Sequence, residues 1–205
     1  MRKNKRTLSF KSEKPTGGDG LPLGWFDKDD IKTYRSFYAN LNDRSITAEI
    51  GVWQGRSICS VADIIIDKRI TVYAIDTFQG SISAQDVVNN CGGRLRQIFT
   101  KNIAEAGLKN NVIIIEAESS RAIDGINKKF DFVFIDSDHA EKNVKKDIAT
   151  WLPLVKNGGV FAGHDYDWVK KTVHAELEKL EYRIFTDNKN IYWINKNSDC
   201  IKANK

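Results

Sequence analysis

What most limits the folds open to this chain is a series of short, doubly apolar segments that alternate with amphipathic ones. Residues 130–135 read FDFVFI and residues 112–115 read VIII. Runs this short and this rich in β-branched and aromatic side chains are strands, and strands apolar on both sides of the pleat need cover on both faces. Further strands are expected over 45–50, 70–75 and 160–163. Helical patterns lie between and around them. Over 28–42, Ile31, Tyr34, Phe37, Tyr38 and Leu41 recur at helical spacing behind an acidic first turn at Asp27, Asp29 and Asp30. Similar patterns cover 55–66, 94–107, a short stretch at 119–128, then 141–152 and 168–180. Two closing runs, 182–186 and 191–195, flank a polar turn at 187–190 and read as a β-hairpin. Such alternation implies an α/β fold: a mostly parallel sheet with helices on both faces and an antiparallel last strand. In sheets of this kind ligands sit beyond the carboxyl ends of the strands, and that is where chemistry is sought.

The chain has 205 residues, which suits one domain with its own core. That domain is expected over 25–205, behind a polar, flexible lead at 1–24 that contains Pro15, Gly17, Gly18, Gly20 and Pro22. Mean hydropathy is −0.44, and no apolar run is long enough to enter a bilayer as a span. The basic N-terminus lacks the apolar stretch of a secretory signal. Cys59, Cys91 and Cys200 are odd in number and widely spaced, which argues against a disulfide framework and fits a cytoplasmic location. The net charge of +5 is unevenly placed: Arg2, Lys3, Lys5, Arg6, Lys11 and Lys14 face only Glu13, so the chain beyond residue 14 is neutral. A nucleic-acid reader carries its basic excess on the folded surface. Nucleic acid is therefore not the expected partner, and a homo-oligomer is compatible with the composition.

The first strand runs into Glu49-Ile50-Gly51-Val52-Trp53-Gln54-Gly55. Two glycines four apart between a strand and a helix let the backbone turn tightly and approach a ligand. The pattern is neither the dinucleotide G-x-G-x-x-G nor a P-loop. The second strand ends in Asp76, 25 residues after Gly51, where a carboxylate can accept from a ribose diol. The third leads into Glu116-Ala117-Glu118-Ser119. There Glu118 can accept from an adenine amine, and Ser119 either donates to the base or caps the next helix.

Together, Glu49-x-Gly51-x-x-x-Gly55, Asp76 and the run Phe132-Val133-Phe134-Ile135-Asp136-Ser137-Asp138-His139 resemble a class I S-adenosylmethionine-dependent methyltransferase. The resemblance covers roughly residues 25–195. It is nearest to small-molecule O-methyltransferases related to cephalosporin-hydroxylase, macrolide-sugar and catechol-type enzymes. It implies a seven-stranded, Rossmann-like sheet, a small-molecule or sugar acceptor, and S-adenosylmethionine over the glycine turn, with Glu49, Gly51, Gly55, Asp76, Glu118, Ser119 and Asp136 as its contacts.

Asp136-Ser137-Asp138-His139 follows the fourth strand, and Gly163-His164-Asp165-Tyr166 the fifth. Carboxylates with a neutral imidazole suit Mg²⁺ or Mn²⁺, and such an ion can lower the pKa of a bound hydroxyl and orient it. The resemblance places metal ligands at Asp136 and Asp165, with His164 standing where several relatives have a second acid. Asp138 or His139 is the candidate general base. His174 and Cys59 are expected to be structural, Trp53 to pack on either the cofactor or the N-terminal helix, and the polar segment 77–93 to be an acceptor lid. Two other functions compete. One is a metal-dependent nucleotide-sugar glycosyltransferase using Asp136-x-Asp138, and the other is a non-catalytic S-adenosylmethionine-binding module.

Overall fold

The computed structural model describes residues 17–80, 89, 91–187 and 190–196. Helix α1 (Lys28–Ala39) opens on a capping box. Asp27 accepts from the Asp29 and Asp30 amides, and Asp30 reaches back to the Asp27 amide. Strand β1 (Ile46–Ile50) follows. The helix expected over 55–66 is broken into α2 (Arg56–Cys59) and α3 (Ala62–Asp67). Next come β2 (Thr71–Asp76), α4 (Leu95–Glu105), β3 (Val112–Glu116), the single turn α5 (Ser119–Ala122) and β4 (Phe130–Ile135). The chain continues through α6 (Glu141–Trp151), β5 (Val155–Gly163), α7 (Tyr166–Leu177), β6 (Phe185–Thr186) and β7 (Tyr192–Asn195).

The seven strands form one sheet in the order β3-β2-β1-β4-β5-β7-β6. Pairs from β3 to β5 are parallel, and β7 lies antiparallel between β5 and β6. The strand order reverses direction between β1 and β4, the position at which such sheets form their ligand crevice. Strand β5 begins earlier than expected, at Val155, because a register shift against β4 between Phe130 and Phe132 absorbs the Asn157-Gly158-Gly159 segment.

Period-two alternation sorts the core onto the two faces. Phe132 and Phe134 pack with Tyr34, Tyr38 and Phe99, while Val133 and Ile135 pack with Trp151, Val169 and Val173. Burial of this kind contributes about 1.5–3 kcal/mol for each large apolar side chain. Among the described residues no helix is long and apolar enough to cross a membrane.

The described part of the polar lead is docked rather than free. Arg56 is 4% exposed, and its guanidinium grips Asp19 at 2.5 Å and the carbonyls of Pro22 and Phe26 at 3.0 and 2.7 Å. This clasp holds Asp19 through Phe26 against α2. The basic stretch 1–14 lies outside the described residues, as do 81–88 and 90 of the expected lid.

Candidate active site

Gly51 ends β1 with φ +86°, and a Cβ there would collide with the Asp136 carbonyl. The turn after β1 therefore presses directly on the turn after β4, which only glycine allows. Gly55 also has positive φ, and a Cβ there would crowd the Phe99 ring at 3.0 Å. Trp53 adopts φ +47° between them. Its ring meets Trp25 edge-on at 5.2 Å, and its buried indole N–H has no hydrogen-bond partner among the described residues.

The acids of this half are held by neutral donors. Asp76 Oδ2 accepts from the amides of Val52 (2.9 Å) and Trp53 (3.0 Å), and Oδ1 from Phe78 (2.7 Å). The carboxylate thus shapes the glycine turn as well as ending β2. These three amides fill three of the roughly four lone-pair positions of the carboxylate. Burial raises its pKa against those three amides.

Glu49 corrects a sequence expectation. It is 1% exposed, and its two oxygens accept from the Tyr34 and Ser57 hydroxyls. Burial, opposed by these hydroxyls and aided by Asp136 and Asp76, pushes its carboxyl up to about 8. It braces the turn from inside the core and presents nothing to a ligand.

Ser119 corrects another. Its hydroxyl donates to Asp147 at 2.5 Å and accepts from the Trp151 indole at 2.8 Å. It neither caps α5 nor reaches outward, because Glu118 occupies the cap position. Glu118 itself is exposed at the end of the turn after β3.

The other half of the crevice is built from imidazoles and carboxylates. His164 is 4% exposed and packs on Phe26 with ring centroids 4.8 Å apart. Its Nε2 lies 3.3 Å from Asp30, which is fully buried. Its Nδ1 lies 3.5 Å from Asp136 and 3.4 Å from Asp165. Among the described residues neither nitrogen makes a well-aligned hydrogen bond, so these are charge contacts. Burial disfavours a charged ring, but the surrounding carboxylates outweigh it and raise the His164 pKa well above the usual value. Asp30 is the residue that sequence reasoning missed. Its acidic first-turn position was legible, but nothing in the chain signalled that α1 would bring it behind His164.

One donor atom each from Asp136, His164 and Asp165 lies within 4.8 Å of the others. Asp165 sits at φ +55° and also meets His139, with Nε2 to Oδ2 at 2.7 Å. Against the cost of burial, the two imidazoles lower the Asp165 pKa, and the Asp165 bond raises that of His139. Asp138 accepts from the Ala140 amide at 2.7 Å, shaping the entry to α6. Of the two candidate bases, the structure thus brings His139 into the cluster. His174 lies on the outer face of α7 between Tyr166 (2.7 Å) and Glu178 (2.6 Å), and Cys59 is in the core, as expected of both.

Comparison with known proteins agrees with this geometry. Residues 48–166, from β1 to the start of α7, match the family model described as a methyltransferase domain. Among solved structures, the O-methyltransferase NovP superposes with a TM-score of 0.67 at 15% identity, covering 82% of this chain and 80% of its own. A precorrin-6y C5,15-methyltransferase from Geobacter metallireducens gives 0.63 at 15% identity over 89% of this chain and 95% of its own. An rRNA methylase from Streptococcus thermophilus gives 0.59 at 14% identity over 85% and 99%. At these identities the structures establish the fold and leave the acceptor open. The family match covers more than half of the sequence and spans both halves of the crevice: the chain belongs to the methyltransferase-domain family and is a class I, S-adenosylmethionine-dependent methyltransferase.

Proposed function

We propose that the protein is an O-methyltransferase for a hydroxyl on a small molecule or sugar, and that a divalent cation at Asp136, His164 and Asp165 assists it. The observation that carries this reading is the buried Asp30–His164 pair, with the imidazole Nδ1 directed between Asp136 and Asp165. The buried Asp30 carboxylate faces Nε2 and leaves Nδ1 turned to the two other acids, and two hard oxygens beside an imidazole suit Mg²⁺ or Mn²⁺. A cation bound there would lower the pKa of an acceptor hydroxyl and hold it in place. O-methylation is also the activity named for NovP.

S-adenosylmethionine, when bound, supplies an already reactive methyl group. The protein's tasks are therefore to hold the donor, exclude water, and deprotonate and align the acceptor. Gly51 and Gly55 let the backbone pass close to the donor, the remaining acceptor position of Asp76 takes a ribose hydroxyl, and Glu118 faces the adenine. His139 takes the acceptor proton on its Nδ1, because Nε2 is held by Asp165. This pairing of base and orienting carboxylate follows the logic of catalytic triads.

A calorimetric titration with S-adenosylmethionine, followed by transfer of labelled methyl to a panel of diols with and without chelator, tests the reading. Binding, with chelator-sensitive transfer to oxygen, is expected. Turnover that survives chelation removes the cation. Binding without transfer to any hydroxyl leaves a non-catalytic module. Binding of a nucleotide sugar in place of S-adenosylmethionine refutes the proposal.

A further inference from the structure

Asp147 is a carboxylate that neither the fold nor the chemistry above accounts for. It lies on α6, is 4% exposed and has no cationic partner within ion-pair distance among the described residues. Its two oxygens serve two different turns. Oδ1 accepts from Ser119, in the turn after β3, and Oδ2 from Ser137, in the turn after β4, each at 2.5 Å. One helical turn on, Trp151 donates to the same Ser119 hydroxyl at 2.8 Å, so that hydroxyl is fixed from both sides. Burying a carboxylate is costly unless its lone pairs are filled, and hydrogen bonds to a charged acceptor are about twice as strong as neutral ones. The chain thus places a buried acid where two hydroxyls suffice to hold it, and those hydroxyls belong to the turns bearing Glu118 and Asp136.

We propose that Asp147 is a positioning residue that couples the cofactor-facing turn at Glu118 to the acceptor-facing turn at Asp136–His139. Seating of the adenosine then fixes the groups that act on the acceptor. The inference rests on the proposed adenine contact of Glu118. It adds that Ser137, on the acceptor-facing turn, influences cofactor affinity through Asp147.

The test is a double-mutant cycle on the dissociation constant of S-adenosylmethionine, measured by calorimetry on the full chain, with melting midpoints recorded alongside. Ser137→Ala should weaken binding about threefold and Asp147→Asn about tenfold, and the double variant should bind no more weakly than Asp147→Asn alone, as coupled neighbours do. Ser137→Thr, which keeps the hydroxyl, should restore the wild-type value. The coupling is overturned if Ser137→Ala lowers the melting midpoint without changing affinity, or if the two effects simply multiply. If wild type binds no S-adenosylmethionine, the functional reading falls and this inference with it.

Discussion

The two halves of the crevice use the same residue type in opposite ways. Beside β1 and β2, Glu49 and Asp76 are held by hydroxyls and backbone amides, and burial raises both pKa values. Beside β4 and β5, Asp165 is paired with two imidazoles, which lower its pKa while theirs rise. In the first half the carboxylates organise a turn through neutral donors. The second half gathers charge at one point, as a cation site or proton-transfer site does. What separates the two is the partner each fold element brings, since all three acids stand at or near strand ends.

The sharpest way to break the second half is to remove its central ring. His164→Ala leaves Asp30 as a buried, uncompensated carboxylate and should cost about 3–5 kcal/mol of unfolding free energy, measured by denaturant titration. Adding Asp30→Asn should recover a large part of that loss. If the double variant is no better than the single, Asp30 is not paired with His164. In the first half, Gly51→Ala forces a Cβ onto the Asp136 carbonyl and should destabilise by about 2–4 kcal/mol. It should also abolish detectable S-adenosylmethionine binding.

Asp165→Asn sharpens the contrast between binding sites, with Mn²⁺ affinity expected to fall at least about tenfold, read from the paramagnetic signal of free ion. A subtler difference lies in pH dependence. Glu49 has a folded pKa of about 8 against an ordinary 4.5. The folded state therefore binds more protons than the unfolded state across that interval, so stability falls as pH rises through it. Glu49→Gln should flatten this part of the melting profile. An unchanged slope would locate the linkage elsewhere. The smallest effect is expected at Glu118→Ala, a few-fold loss of cofactor affinity with an unchanged melting midpoint, because the side chain is exposed.

Much of the fold was legible because its signals are local. FDFVFI cannot be solvated on either face, Asp27 and Asp30 announce a helix start, and the closing hairpin follows from its polar turn. The strand-end rule then located the crevice, and Asp136, His164 and Asp165 do converge there. What the chain hid were contacts made across sequence. Glu49 reads as a ligand-facing acid until Tyr34 and Ser57 close over it. Ser119 reads as a cap or base contact until Asp147 and Trp151 claim its hydroxyl. Asp30 and His164 are 134 residues apart and meet only because α1 packs against the end of β5. The break between α2 and α3 was equally hidden, since the apolar stripe continues through Ser60 and Val61.

The claim that one half of the crevice holds the donor and the other performs the chemistry is tested most directly by titrating S-adenosylmethionine into Asp76→Ala and Asp165→Asn in a calorimeter. The account predicts at least a tenfold loss of affinity in Asp76→Ala and a value within about twofold of wild type in Asp165→Asn. Loss in Asp165→Asn with normal binding in Asp76→Ala would contradict it.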